Sequence, residues 1–464
     1  MNKKKTPNII FIMTDQQRFD TFGCVNSEVI TPNFDNLIKD SIFFNNAYCS
    51  NPSCIPSRAG IMTGKYPSEC GAPSFITPLP ENETTFMTRL QDAGYHTAVI
   101  GKQHFAGSKI KKGFDYENII DCHFANPGNE EAEGYNNYLI EQGFDIKDVM
   151  TRDLISGGSW KINEKYHLDN YIGELGKEWL GNKLDSSDDK PWFFTLSFPG
   201  PHHPYDCEGT KYADLYNLDD LSVPETTYED LDQKPGHFKE MDAYAHIYTK
   251  DFTKEQYLRT KRSYYANMSL IDEKVGEVIQ LLKDNDAYED TLIIFSTDHG
   301  DFMGDFGMVE KLQCLTDSLM HIPLFVKPPI KGFTGIKVDD PVTNIDIAST
   351  CLTTAKADIP IELSNYPYNS YWDDAINNKA RDYVYMEARD LRGIIKDGIK
   401  TVFYVDREYG ELYDMNKDPL EKDNQWENKD YDSKKLEAYQ LLINQMYRAT
   451  PEWNTPWNHG TPTI

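Results

Sequence analysis

A thiol, a proline and an arginine stand at Cys54, Pro56 and Arg58, inside the stretch CSNPSCIPSRAGIMTGKY at residues 49–66. Proline has no N–H and a fixed φ, so Pro56 suits the first position of a helix. Cys54 then lies just ahead of a helix N-terminus, where free N–H groups and the dipole favour negative charge. Arg58, one turn in, can fold back towards position 54. The chemistry this permits is nucleophilic attack on an anionic substrate in an electropositive pocket. An inert buried thiol is the ordinary reading of a lone cysteine, so the choice rests on residues elsewhere.

Those residues recur at the ends of apolar runs. Residues 8–14 (NIIFIMT) form a short, continuous, β-branched-rich run, the pattern of a buried parallel strand. Asp15, Gln16, Gln17 and Arg18 follow at its carboxyl end, where open α/β sheets place their ligands. The arrangement repeats at 95–100, followed by Gly101-Lys102-Gln103-His104, and at 192–198, followed by Pro201-His202-His203-Pro204. It repeats again at 291–296, followed by Thr297-Asp298-His299-Gly300. If the first and last of these strands are neighbours, Asp298 and His299 offer oxygen and nitrogen donors beside Asp15. Such a set can hold a divalent cation, with the Gln16 amide as an uncharged extra oxygen.

The elements that must position these groups are also legible. Thr31 and Pro32 open an amphipathic helix as N-cap and first residue. Residues 43–47 read as a strand leading into the cysteine loop, and 84–93 as a helix stopped at Gly94. Residues 253–282 carry apolar side chains at helical spacing and predict a long helix over the sheet. Residues 323–328 and 346–351 continue as strand and helix. Beyond about 365 the texture changes: 384–386, 391–395 and 400–404 read as antiparallel strands, and Glu411-Leu412-Tyr413-Asp414 leads into Asp418-Pro419. The division expected is a catalytic domain over 1–365 and a small C-terminal subdomain over 366–464. Residues 105–190 and 205–252 show no interpretable chemistry and read as insertions around the mouth of the site. Trp453, Trp457 and His459 are too irregular for a helix and read as a tail that folds back over the pocket.

Length and charge bound the partners. A chain of 464 residues exceeds one small core and suits a large α/β domain with a smaller companion. A net charge of −27 argues against nucleic acid and disfavours long polyanions, while leaving room for a small anion in a local basic pocket. No apolar run is long enough to span a membrane, and residues 9–13 are too short for the core of a signal peptide, so a cytoplasmic location is expected. The eight cysteines include no Cys-x-x-Cys pair, which speaks against a zinc cluster or a disulfide framework and fits a reducing compartment.

Taken in order, these segments resemble the type I, formylglycine-dependent sulfatases of the alkaline-phosphatase-like superfamily. That family carries Cys or Ser, any residue, Pro, Ser or Ala, and Arg, then a hydrophobic helix turn closing on Thr-Gly, as here from Cys54 to Gly64. Gly-Lys-x-His (Lys102, His104), Pro-His-x-Pro (His202), Asp-His-Gly with later glycines and a lysine (Asp298, His299, Gly304, Gly307, Lys311) and Glu-Leu-Tyr-Asp follow in the family's order. The resemblance implies an α/β sandwich with a large, mixed, mostly parallel sheet flanked by helices, plus a small C-terminal α+β subdomain. It implies that Cys54 is oxidised to formylglycine by a sulfatase-maturating enzyme, its hydrated aldehyde being the nucleophile. It assigns one divalent cation, Ca²⁺, to Asp15, Cys54, Asp298 and His299, with Gln16 as an additional ligand. Arg58 would favour the ionised nucleophile, Lys102 and Lys311 would bind the sulfate, His202 would protonate the departing alcohol, and His104 would act as base afterwards. The substrate implied is a small anionic sulfate ester. Two departures stand out: Gln16 where a second Asp is usual, and Phe306 where many relatives have His. Gln16 keeps a phosphonate monoester or phosphodiester hydrolase of the same superfamily as the runner-up, and Gly-Lys-x-His weighs against it. A non-catalytic sulfate-binding protein would require lost catalytic groups, and none is missing.

Overall fold

Strand β1 (Asn8–Asp15) shows why its sequence is an uninterrupted apolar run. Ile9, Phe11 and Met13 enter one buried core, whereas Ile10 and Ile12 enter another on the opposite face. A parallel strand covered on both faces has no solvent side on which to place polar residues. The structure is a computed structural model that describes residues 6–105, 112–126, 128–151, 158–236, 238, 249, 252–364, 366–376 and 380–448. Trp453, Trp457 and His459 therefore lie outside the described residues.

The main sheet has eight strands. They are β1, β2 (Ile42–Phe44), β4 (His96–Gly101), β5 (Tyr116–Ile119), β6 (Trp192–Pro201), β7 (Thr291–Thr297), β8 (Leu324–Lys327) and β9 (Ile336–Val338), in the order β5-β4-β6-β1-β7-β8-β2-β9. The pairings from β5 through β4, β6 and β1 to β7 are all parallel, and β8 runs antiparallel to both β7 and β2. The four strands whose carboxyl ends carry the singled-out residues are thus consecutive: β4, β6, β1 and β7. In particular, β1 and β7 are neighbours, with Thr14 opposite Thr297.

Helices cover both faces. Helices α1 (Pro32–Ile38), α5 (Leu168–Asp185) and α6 (Lys254–Asp284) supply one core, with α4 (Glu133–Glu141) at its margin. Helices α2 (Cys54–Thr63), α3 (Phe86–Asp92) and α8 (Asp346–Ala355) supply the other, beside the one-turn α7 (Asp317–Met320). None of the described helices is long and apolar enough to cross a membrane. A second sheet of β11 (Val384–Ala388), β12 (Leu391–Lys396), β13 (Ile399–Tyr404) and β14 (Gly410–Asp414) is an antiparallel meander. Helix α9 (Asp432–Arg448) packs Ala438 and Leu442 against Tyr385, Ile394 and Phe403 of that meander. The fold is therefore the α/β sandwich with a mixed, mostly parallel sheet and a small C-terminal sheet and helix.

Three local expectations need correction. Helix α2 begins at Cys54 with Ser53 as N-cap, so Pro56 is its third residue and the thiol belongs to the first turn. Pro56 is tolerated there because the first N–H groups of a helix have no partner within it. The strand expected over 43–47 is two short ones, β2 and β3 (Ala47–Tyr48), interrupted at Asn45 and Asn46; β3 pairs with β10 (Val342–Thr343) instead. The stretch 105–190 is more than insertion, since it contributes an edge strand, two helices and two residues of the site described next.

Candidate active site

Four strand ends and the start of one helix converge. Helix α2 is buried along nearly its whole length and ends on Gly64 in the left-handed region (φ 71°), where a Cβ would lie 2.8 Å from the Ala348 Cβ. That close seat against α8 fixes the C-terminal end of the helix. Near its start, Ser57 donates its hydroxyl to the Asp298 carbonyl (2.6 Å) and accepts from Asn344 Nδ2 (3.3 Å), tying α2 to the end of β7. Cys54 is brought beside the carboxyl ends of β1 and β7 in consequence.

Around Cys54 the donor atoms of Asp15, Asp298 and His299 lie within 4.8 Å of one another and of the sulfur, and all four side chains are buried. His299 Nδ1 donates to the Gly300 carbonyl (2.9 Å), which turns Nε2 towards Cys54 Sγ, 3.2 Å away. Asp298 Oδ1 accepts from the backbone N–H groups of Gln16 (3.0 Å) and His299 (2.9 Å). The two carboxylates share cations: Arg58 Nε reaches Asp298 Oδ2 (2.6 Å), Arg58 Nη2 reaches Asp15 Oδ2 (3.0 Å), and Lys102 Nζ reaches Asp15 Oδ2 (2.5 Å). Burial raises the Asp15 carboxyl, but Lys102 and Arg58 outweigh it and hold the group well below the usual carboxylate range. Burial and Asp15 push the Cys54 thiol up, whereas Lys311, Lys102 and His299 pull it further down, to about 5. An anion is therefore the favoured state at position 54, the electropositive pocket expected from Cys54 and Arg58.

Lys102 owes its place to Gly101. That glycine has φ 98°, and a Cβ on it would lie 1.9 Å from the Ser197 carbonyl oxygen, so only glycine lets β4 pass β6 closely enough to aim Lys102 inward. Lys311 reaches the site from beyond Gly304 and Gly307; its Nζ bonds the Gln16 amide oxygen and, at 2.8 Å, His202 Nε2. Gln16 thus turns its amide oxygen inward, while its Nε2 donates to Asp301 Oδ2 (2.6 Å). His202 Nδ1 donates to the His203 carbonyl (2.7 Å), so its Nε2 is the acceptor from Lys311. Burial, then His123 and Lys311, hold the His202 imidazole well below its ordinary value and hence neutral. His203 turns away towards Glu310, 3.4 Å distant. His104 has its backbone N–H on Asp121 Oδ1 (3.0 Å) and its ring edge-on to Phe75, with a buried Nδ1 that has no hydrogen-bond partner among the described residues.

Sequence reasoning missed His123. It lies just beyond β5, bonds Lys102 Nζ through Nε2, and stacks on His202 with ring centroids 3.8 Å apart. Asp121, two residues earlier, accepts from the N–H groups of Gln103 (2.6 Å) and His104, and so shapes the turn that presents Lys102. Gln313, which bonds Ser53 Oγ at the start of α2, was missed as well. The one signal available was that residues 121–123 follow a short run at a fourth parallel crossover, and that run (YENI) is too polar to read as a strand.

Comparisons with known proteins agree with this geometry. Residues 7–357 match the family model described as Sulfatase, and residues 304–447 match the model described as N-sulphoglucosamine sulphohydrolase, C-terminal. The choline-sulfatase of Rhizobium meliloti (strain 1021) is 29% identical over 432 residues, spanning 91% of this chain and 83% of that protein. The N-acetylglucosamine-6-O-sulfatase of Bacteroides thetaiotaomicron is 26% identical over 492 residues, spanning 94% of this chain and 86% of that protein. Among solved structures, the phosphonate monoester hydrolase of Agrobacterium radiobacter superposes with a TM-score of 0.83 over 96% of both chains at 21% identity, a likeness of fold alone.

Proposed function

The chain belongs to the sulfatase family and is a sulfuric ester hydrolase, and we propose that it uses formylglycine made from Cys54, with one Ca²⁺, on a small sulfated sugar. The observation that carries this reading is the convergence of Asp15, Cys54, Asp298 and His299 donor atoms within 4.8 Å, under Arg58, Lys102 and Lys311. The donor set fits a divalent cation. It has two buried carboxylates and an imidazole whose Nδ1–H is committed to a backbone carbonyl, so that Nε2 is free to ligate. Asp15, Asp298, His299 and residue 54 would hold the ion, and the Gln16 amide oxygen faces the same space. Bound there, the ion would supply Lewis-acid stabilisation of charge at the sulfuryl oxygens, and formylglycine would supply a geminal diol as nucleophile.

The remaining roles belong to the chain's own side chains. Arg58 and Lys102 hold negative charge at residue 54 and Asp15. Lys102 and Lys311 present N–H donors to the sulfuryl oxygens, fixed in place before the substrate arrives. His202 Nε2 faces the site with Lys311 Nζ at 2.8 Å; neutral at rest, it would first take up a proton and then give it to the departing alcohol oxygen. His104, whose Nδ1 has no partner among the described residues, takes the proton of the remaining hydroxyl at residue 54. Cys54 is 1% exposed, which supports oxidation by a maturating enzyme before the chain closes over it. All eight cysteines are unpaired, which supports the reading of a reducing, cytoplasmic setting. The sugar is favoured by the relative named N-acetylglucosamine-6-O-sulfatase and by exposed apolar side chains at Phe75 (49%), whose ring lies against His104, and its neighbour Ile76 (88%).

The test pairs peptide mass spectrometry under aldehyde trapping with aryl sulfate and aryl phosphonate kinetics on the same preparation. Expected are an aldehyde at residue 54 and a higher kcat/KM for the sulfate. Full activity from protein holding only the unmodified thiol, or a clear preference for the phosphonate, refutes the reading.

A further inference from the structure

Away from the active site, His167, Asp206 and Cys207 form another group of metal-ligating side chains, all three buried. They come from two places in the fold. His167 is the N-cap of α5, and Asp206 and Cys207 follow the loop that carries His202. His167 Nε2 lies 3.1 Å from Asp206 Oδ1 and 3.7 Å from Cys207 Sγ. Nitrogen, oxygen and sulfur ligands at roughly 2.0–2.3 Å from one tetrahedral ion stand about 3.3–3.6 Å apart. The observed separations bracket those values, so an ion needs shifts of only a few tenths of an ångström. No Cys-x-x-Cys pair announces the group, because it is assembled in space rather than along the chain.

We propose that His167, Asp206 and Cys207 bind a zinc-class divalent cation, with solvent in the fourth position. A thiolate with an imidazole selects such an ion over calcium or magnesium, which prefer all-oxygen sets. The Asp206 side chain is 10% exposed and marks the open side. On binding, Cys207 gives its thiol proton to solvent and the metal takes the place of the proton on His167 Nε2. The ring proton moves to His167 Nδ1, which gives up the Asp169 backbone N–H it accepts at 3.3 Å and, after a small ring rotation, donates to Asp169 Oδ2, 3.6 Å away before the ion binds. Carboxylate partners of this kind orient metal-bound histidines. Asp169 is itself held by the Gly200 N–H (3.1 Å) and Asn267 Nδ2 (2.8 Å). The ion would thus tie both ends of the His202 loop, at Gly200 and at Cys207, to the start of α5.

The experiment uses full-length Cys54→Ala protein, which lacks the active-site thiol, freed of metal by chelator and titrated with Co²⁺. One equivalent is expected to produce a near-ultraviolet thiolate-to-cobalt band that Zn²⁺ displaces. Adding Cys207→Ala should abolish the band, adding Asp298→Ala should leave it, and Asp169→Asn should weaken Co²⁺ binding about 10- to 100-fold. A buried imidazole–carboxylate hydrogen bond is sufficient without an ion. On that account the Cys54→Ala protein gives no thiolate band, and this result overturns the proposal without any change to the cluster. A band that survives loss of Cys207, or vanishes with Asp298→Ala, overturns it equally.

Discussion

Arg58→Met keeps most of the side-chain volume and removes the charge between the two carboxylates of the active site. The guanidinium is fully buried and makes five contacts: Asp298 Oδ2 (2.6 Å), Asp15 Oδ2 (3.0 Å), the Lys102 carbonyl (3.0 Å), Ser197 Oγ (3.2 Å) and the Thr14 carbonyl (3.3 Å). After substitution Asp15 keeps Lys102, whereas Asp298 keeps the neutral N–H groups of Gln16 and His299 and the more distant His299 Nε2 at 3.9 Å. Stripping one partner from a buried ion pair costs about 3–5 kcal/mol, so a loss of that size is expected in metal-free protein. A cation bound between Asp15 and Asp298 replaces part of the missing charge. Any ion at one hundred times its dissociation constant stabilises the native state by about 2.7 kcal/mol, and the variant should bind it more tightly than the parent. The penalty should therefore shrink in saturating Ca²⁺. Urea unfolding followed by tryptophan fluorescence, in chelator and in Ca²⁺, measures both quantities. A loss below about 1 kcal/mol, the scale of an exposed pair, would refute the electrostatic account. An identical penalty with and without Ca²⁺ would refute the shared metal site.

Lys102→Ala removes a prearranged donor and should lower kcat for an aryl sulfate by about 10²–10³. His104→Ala should instead release about one equivalent of the alcohol per site in a stopped-flow burst, then turn over slowly; a uniform slowing without a burst would remove His104 from the second half of the reaction. The Asp272 carboxyl accepts from the N–H groups of Asn33 and Phe34, yet burial pushes it up to about 6. Its folded value lies above the unfolded one of about 3.9, so its contribution to stability is whole below about pH 4 and is lost as pH rises through 6. Asp272→Asn should accordingly gain about 2 kcal/mol relative to the parent between pH 4 and 7, read from urea midpoints, and equal pH slopes would contradict that shift.

The site was readable because most of its residues follow strands that announce themselves, and Cys54 and Arg58 sit in a compact helix-start motif. Residues 8–14, 95–100, 192–198 and 291–296 are largely apolar since both faces of their sheet are covered, and the charged and imidazole residues that follow each run stand out. Their convergence needed one further fact, that these four strands are adjacent in the sheet, which local pattern cannot supply. Helix α5 went unread although it is 18 residues long. Its buried face includes Gly173 and Gly176, which let Lys274 and Leu196 approach closely, so the apolar periodicity is diluted where the packing is tightest.

What the sequence hid is of a different kind. In the proposed mechanism Lys102, His202 and Lys311 act on the sulfuryl group, and that part of the site would be the same whatever alcohol is attached. His123, Phe75 and Gln313 stand around the same centre but come from a polar edge strand, an exposed loop and the segment after Lys311. Their positions follow from where loops close on the finished sheet, so no spacing along the chain encodes them. His123 shows the consequence: by bonding Lys102 and stacking on His202 it touches groups assigned to sulfate binding and to proton delivery. On the proposed roles, a side chain that bridges those two tasks would border the ester oxygen. The surroundings of the centre are thus built from residues whose types are ordinary until the fold brings them there.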